Sequence, residues 1–372
     1  WTLYALAGIP IAYHFHVRKN RGLSLSGIIS SITGLKQDGV ICRIVDVLFI
    51  FICFGGLSIT LGVSVPLVTE IFCSVVGITP SFIINLLIIV VLSVIYSFSS
   101  YIGLKKGMAK ISDWNIKLVI IFCIGVVVCG PTLFIISNTT QSIGLMFQNF
   151  IHMSLFTDSI GKSGFPEAWT IFYWLYWITY APFTGIFIAK VSKGRSIRSV
   201  VANTLISGSA GCFGFFGILG SLSLNRQLTG SVDMVGMLGA GQGNQSIVQV
   251  LRTLPAGPVF MVIFCIITLL FLATTLDGAA FTMATTSTVG LKNDEEPHPM
   301  LRLFWCIMLS LVPLTMILIN ADLNTIKTCA IITAVPIIFI MLVMLVGWLR
   351  WMSADYRGVT SEELEKELMR KD

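Results

Sequence analysis

The sequence predicts an all-α polytopic membrane protein. Of its 372 residues 55% are hydrophobic and only 11% charged, and the mean hydropathy is +0.89. Apolar runs recur along the whole chain, each of about 20 residues and so long enough to cross about 30 Å of hydrocarbon as a helix. So few charges cannot cover a water-facing surface. One transmembrane domain over 1–351 and a short cytoplasmic tail over 352–372 are expected.

The first apolar run, Trp1–Phe15, is short for a span and begins without Met. It has neither the basic start nor the small-residue cleavage site of a secretory signal, so it reads as a helix cut midway and the chain as a fragment. Further spans are expected at about 44–65, 81–103, 116–138, 168–190, 200–222, 256–288, 302–320 and 328–350, nine crossings in all. With Trp1 outside, 20 of the 24 Lys and Arg fall in the inner loops and tail, leaving Lys162, Arg226, Arg252 and Lys327 outside. That bias orients the chain with its C-terminus cytoplasmic, as a multi-pass protein of the plasma or inner membrane. An anionic leaflet also accounts for the net charge of +6, so the lipid bilayer is the expected partner and nucleic acid is not.

Two outer segments, Asn138–Glu167 and Asn225–Pro255, are long enough to hold structure, and Met146, Phe150, Met153 and Phe156 space the first like an interfacial amphipathic helix. In the tail, Ser361 followed by Glu362 and Glu363 predicts a short capped helix. The nine cysteines form no C-x-x-C pair, and His14, His16, His152 and His298 have no metal-ligand spacing, so neither a disulfide framework nor a zinc site is indicated. No catalytic residue is assigned, because apart from Asp277 the spans hold almost no acid, base or metal group from which to build an enzyme. Asp277 is bundle-facing by default, with a hydrogen-bonded structural role or ion coupling both open. Asp46 falls at the inner edge of its span. Gly208, Gly211, Gly214, Gly217 and Gly220 recur every third residue and are expected to give a smooth ridge for close helix packing; a channel is the weaker reading of that ridge.

The span from Trp169 reads WTIFYWLYWITYAPF. At 100° per residue Trp169, Tyr173, Tyr176, Trp177 and Tyr180 share an arc of about 100°, and the stripe runs about 16 Å along the axis. An interfacial aromatic belt is the bland explanation and should be shallow, whereas Tyr176, Trp177 and Tyr180 reach roughly mid-bilayer, where phenol and indole tips need a cavity. A quaternary ammonium has no N–H to donate and is attracted by aromatic faces at about 0.5 to 2 kcal/mol each. The deep part of the span has no Asp or Glu to pair with an ordinary ammonium. Pro182 is expected to break the helix beside these rings and free carbonyls.

The run Trp169–Arg198, WTIFYWLYWITYAPFTGIFIAKVSKGRSIR, resembles the signature segment of the betaine/choline/carnitine transporter family. In the same order come TLG at Thr60–Gly62, KGMAKISDWN before the fourth span, CGPT at Cys129 and FLATTLDGAA at Phe271. The resemblance covers essentially the whole chain. It implies a LeuT-like inverted-repeat fold, with about nine of the family's twelve spans present here and a solute site near the midplane.

Residue by residue, the resemblance makes Tyr176, Trp177 and Tyr180 part of the substrate cage and adds Trp1 and Tyr4 from the family's Trp-x-x-Tyr. It implies a small quaternary or methylated ammonium solute, such as glycine betaine, choline or carnitine, moved by alternating access. FLATTLDG matches the family's sodium segment, with Phe271 nearby and Thr274 and Thr275 offering oxygens; bonding back to a carbonyl one turn earlier is what threonines in membrane helices more often do. The position matching the arginine of sodium-independent antiporters, close to Ile116, is uncharged, which favours sodium symport. Cys53 and Leu57 stand where hydroxyls of a second sodium site are expected, so one site is implied. No other cofactor is implied, and the family suggests a homotrimer.

Overall fold

The structure, a computed structural model, describes residues 1–20, 23–103, 107–288, 291, 295–319 and 323–359. Among them every regular element is a helix. Seven helices are long and apolar enough to cross a membrane, and the shorter α1 (Thr2–Ala12) and α13 (Pro299–Leu318) stand at the two remaining expected crossings. The long ones are α3 (Val40–Val76), α4 (Phe82–Ile102), α5 (Ala109–Cys129), α8 (Phe172–Val191), α9 (Ile197–Leu228), α12 (Gly257–Thr286) and α14 (Leu323–Asp355). Between them lie α2 (Leu25–Thr33), α6 (Thr132–Gln148), α7 (Phe150–Leu155), α10 (Met234–Gly239) and α11 (Gly243–Arg252). Two π-helical stretches, Tyr13–Val17 and Pro166–Ile171, continue α1 and lead into α8.

Helix ends follow local chemistry. Ser24, Ser81 and Ser196 cap α2, α4 and α9 by accepting from the amides of Gly27, Ile84 and Ser199. Gly34 and Gly77 end α2 and α3 at φ of 75° and 81°, a left-handed conformation that favours glycine. The expected span 116–138 is two helices: α5 stops at Cys129 and α6 starts at Thr132. Pro131 between them has no N–H to continue the ladder and pushes Gly130 out of helical geometry. Pro182 departs from expectation in the other direction, since α8 runs through it unbroken. Neighbouring helices in a membrane bundle re-satisfy freed backbone groups, so a proline there need not end the helix.

The packing has two centres. One gathers α3, α4, α12, α13 and α14 around Phe49, Ile52, Leu92, Tyr96, Leu276 and Leu309. The other joins α5, α9, α11 and α12 around Phe122, Phe260 and Phe264. Large apolar side chains such as Phe98, Ile124 and Phe216 point outward, as helices facing lipid require. The glycine series on α9 does not make one ridge. A step of three residues turns 300°, so five such positions wrap 240° around the helix. A Cβ on Gly208 would run into the Trp1 ring and one on Gly217 into Thr139, while Gly211, Gly214 and Gly220 face open space.

In the segment 138–167, Phe150, Met153 and Phe156 are exposed on and beside α7. Helix α14 extends to Asp355, where Arg18 makes a bidentate ion pair at 2.6 and 3.0 Å and Tyr13 donates at 2.8 Å. The capped helix expected at Ser361 lies outside the described residues.

Candidate functional site: an aromatic wall on α8

The site is built on the crossing of α1 and α8. Small residues bring the backbones together: a Cβ on Gly185 would lie 3.0 Å from Ala7, and one on Gly8 would lie 3.1 Å from Ile188. Ala7 and Ala181 are buried at the contact. This close approach sets Tyr4, one turn up α1, against Trp177, one turn up α8.

Trp1, Tyr4 and Trp177 form a cluster with ring centroids 5.4 Å (Trp1–Tyr4), 5.4 Å (Trp1–Trp177) and 4.7 Å (Tyr4–Trp177). Trp1 reaches across to α9, where its indole N–H donates to the Cys212 sulfur at 3.5 Å and its ring lies over Gly208. At these spacings the three rings touch one another, Trp1 edge-on to Tyr4 and Trp177 at 89° and 70° and Tyr4 tilted by 32° on Trp177.

Tyr176 and Tyr180 turn the other way, toward α3. Their hydroxyls meet Thr60 Oγ1 at 2.7 and 2.6 Å, and Tyr180 also donates to the Gly56 carbonyl at 3.3 Å. Gly56 permits the approach, since a Cβ there would lie 3.0 Å from the Tyr180 ring. The stripe on α8 is therefore two surfaces. Phe172, Tyr176, Tyr180 and Phe183 make a ladder with centroids 5.2 to 6.0 Å apart. Trp177, 100° round from Tyr176, belongs to the cluster with α1. Trp169 and Tyr173 at the shallow end are 40% and 48% exposed, the placement of a belt, whereas Tyr176, Trp177 and Tyr180 are partly buried.

Gly56, Gly208 and Cys212 are not among the site residues that the aromatic pattern or the family resemblance assigns, and Thr60 enters there only as part of the TLG block. The TLG resemblance was the available signal for Thr60. Nothing in one sequence points to Gly208 over its four neighbours in the series.

On α12 the hydroxyls of Thr274 and Thr275 both donate to the Phe271 carbonyl, at 3.0 and 2.9 Å, while the Phe271 ring is 48% exposed. This is the bond back to a carbonyl one turn earlier that threonines in membrane helices commonly make, and it leaves each hydroxyl lone pairs for a further partner. Further along α12 from Phe271, Asp277 is buried and accepts from Ser99 Oγ of α4. Asp46 accepts from the Ser26 amide at 3.3 Å and from Ser26 Oγ at 2.6 Å, fastening α3 to the start of α2.

Apolar helices long enough to cross a membrane, packed beside the aromatic faces of α8, define a polytopic membrane protein. The chain belongs to the betaine/carnitine/choline family of transporters, whose family model matches residues 1–357. It is 42% identical over 367 residues to the carnitine transporter of Acinetobacter baumannii, covering 99% of this chain and 67% of that one. It is 38% identical to the uncharacterized transporter YeaV of Escherichia coli K12, over 98% of this chain and 76% of that one. The glycine betaine transporter OpuD of Bacillus subtilis 168 is 30% identical, over 98% of this chain and 70% of that one.

Proposed function

We propose that this chain carries a methylated ammonium solute of the glycine betaine, choline or carnitine type across the membrane by alternating access, driven by sodium symport. The observation that carries the reading is the Trp1–Tyr4–Trp177 cluster, three rings with centroids 4.7 to 5.4 Å apart at the crossing of α1 and α8. A cation that offers no hydrogen bond gains about 0.5 to 2 kcal/mol from each aromatic face it reaches. Tyr176 and Tyr180 form the second aromatic surface of α8, facing α3, where Thr60 meets both hydroxyls. The names of the Acinetobacter and Bacillus relatives point to the same solute class.

Sodium would be taken at Thr274 and Thr275 beside Phe271, whose hydroxyl lone pairs suit a hard cation. The uncharged position close to Ile116, where the resemblance places the arginine of sodium-independent antiporters, supports symport over sodium-independent exchange of substrate for product. The family resemblance also supports a homotrimer in the plasma or inner membrane, and the basic-loop bias supports a cytoplasmic C-terminus.

The test is uptake of labelled glycine betaine, choline and carnitine by the full-length protein in proteoliposomes, with and without an inward sodium gradient. The reading expects uptake of at least one solute, accelerated by sodium. Uptake only when a related solute is loaded inside, indifferent to sodium, would establish exchange instead. Turnover of a lipid with no uptake would end the carrier reading.

A further inference from the structure

The ladder on α8 already holds an ammonium, and that ammonium belongs to the protein. Lys327, near the start of α14, is 9% exposed. Its Nζ lies 3.7 Å from the centroid of Trp169 and 4.9 Å from that of Phe172, and donates to the Ala168 carbonyl at 3.4 Å. Two rings and one carbonyl are what a cation–π site offers a cation.

These rings head a continuous series. Phe172 stacks on Tyr176 at 5.6 Å and 14°, and Tyr176 leads to Tyr180 at 5.2 Å. Phe172 is buried and Trp169 is 40% exposed, so a cation approaching this end of α8 meets the Trp169 ring, where Lys327 sits.

We infer that Lys327 is a tethered cation that occupies the head of the aromatic ladder and competes there with an incoming methylated ammonium, making it a specificity-determining residue. The inference rests on the reading that the chain carries methylated ammonium solutes. Competition of this kind follows from the relative cost of desolvation. A primary ammonium is compact and strongly hydrated, whereas a trimethylated one has no N–H for water to bond and loses less on meeting the rings. A solute with the latter chemistry displaces the lysine; a free primary amine has no such advantage over a side chain already in place. Occupancy by the side chain lowers apparent affinity by the fraction of time the head is filled.

The experiment uses the full-length protein in proteoliposomes and measures initial uptake of labelled glycine betaine and carnitine. Lys327→Gln is expected to lower KM at least about threefold with kcat retained, and Lys327→Arg, which keeps a cation on the rings, to restore the wild-type KM. In wild-type protein, acetylation of Lys327 by a membrane-impermeant amine reagent, read by mass spectrometry, is expected to rise at least about threefold in saturating glycine betaine. An equal or higher KM for Lys327→Gln overturns the inference and leaves Lys327 as a strap between α14 and α8. Acetylation indifferent to the solute overturns it as well, and needs no variant to fold. If wild-type protein takes up no methylated ammonium, the proposed function has failed first. If it does and only the lysine results fail, the proposed function stands without this inference.

Discussion

Replacing Thr60 by valine removes one hydroxyl and almost no volume, and so isolates what holds the deep tyrosines. Thr60 Oγ1 is 2.7 Å from the Tyr176 hydroxyl and 2.6 Å from that of Tyr180. A neutral hydrogen bond contributes about 1 kcal/mol net. Tyr180 keeps the Gly56 carbonyl at 3.3 Å, so its loss is the smaller of the two. The sum is about 1 to 2 kcal/mol, which expressed entirely in ring positioning is roughly a five- to thirtyfold rise in KM. The assay is the initial rate of glycine betaine or carnitine uptake by the full-length protein, with thermal unfolding in detergent measured alongside. Thr60→Ser keeps the hydroxyl and is expected to recover most of the difference. A Thr60→Val protein with wild-type KM would refute the reasoning, because the tyrosines would then be held by packing alone.

Other consequences can be checked in the same preparation. Trp177→Ala removes the ring shared by Trp1 and Tyr4 and is expected to abolish uptake at low solute concentration; unchanged affinity would defeat the aromatic wall. Thr274→Ala and Thr275→Ala are expected to raise the sodium concentration for half-maximal uptake severalfold while leaving solute KM at saturating sodium nearly intact, as measured by sodium titration. Gly185→Val places side-chain atoms against Ala7, 3.0 Å from where its Cβ would stand, and is expected to cost about 1 to 3 kcal/mol, read as a lowered thermal midpoint.

The spans were legible because an apolar run of about 20 residues has few alternatives to a membrane helix. Their ends were less so. Helix α3 runs to Val76, well past the apolar stretch ending at 65, and α14 to Asp355, because continuing a helix satisfies backbone groups whether or not lipid surrounds it. The break at Gly130–Pro131 and the unbroken passage through Pro182 show that proline alone does not decide; what packs around it does. Neither π-helical stretch is visible in hydropathy, which carries no hydrogen-bond register.

For the site, the helical wheel placed the aromatics of α8 on one broad face but could not say what stood opposite. Trp177 lies on the far edge of that face, against Trp1 and Tyr4, while Tyr176 and Tyr180 face α3. Thr60 and Gly56 sit 116 or more residues away in the chain, and only folding brings them to the tyrosines. The glycine series misled because a period of three is not the period of a helix, and only Gly208 and Gly217 of the five meet a neighbour closely.

The central claim is that the rings recognise positive charge without a hydrogen-bond donor, and one pair of solutes tests it most directly. Glycine betaine and 3,3-dimethylbutanoate share shape and carboxylate and differ in having a quaternary nitrogen or a neutral carbon at the branched centre. In competition with labelled solute uptake by the full-length protein, glycine betaine should inhibit at a concentration at least about tenfold lower, as several cation–π contacts of about 0.5 to 2 kcal/mol require. Equal inhibition by the two would contradict the account.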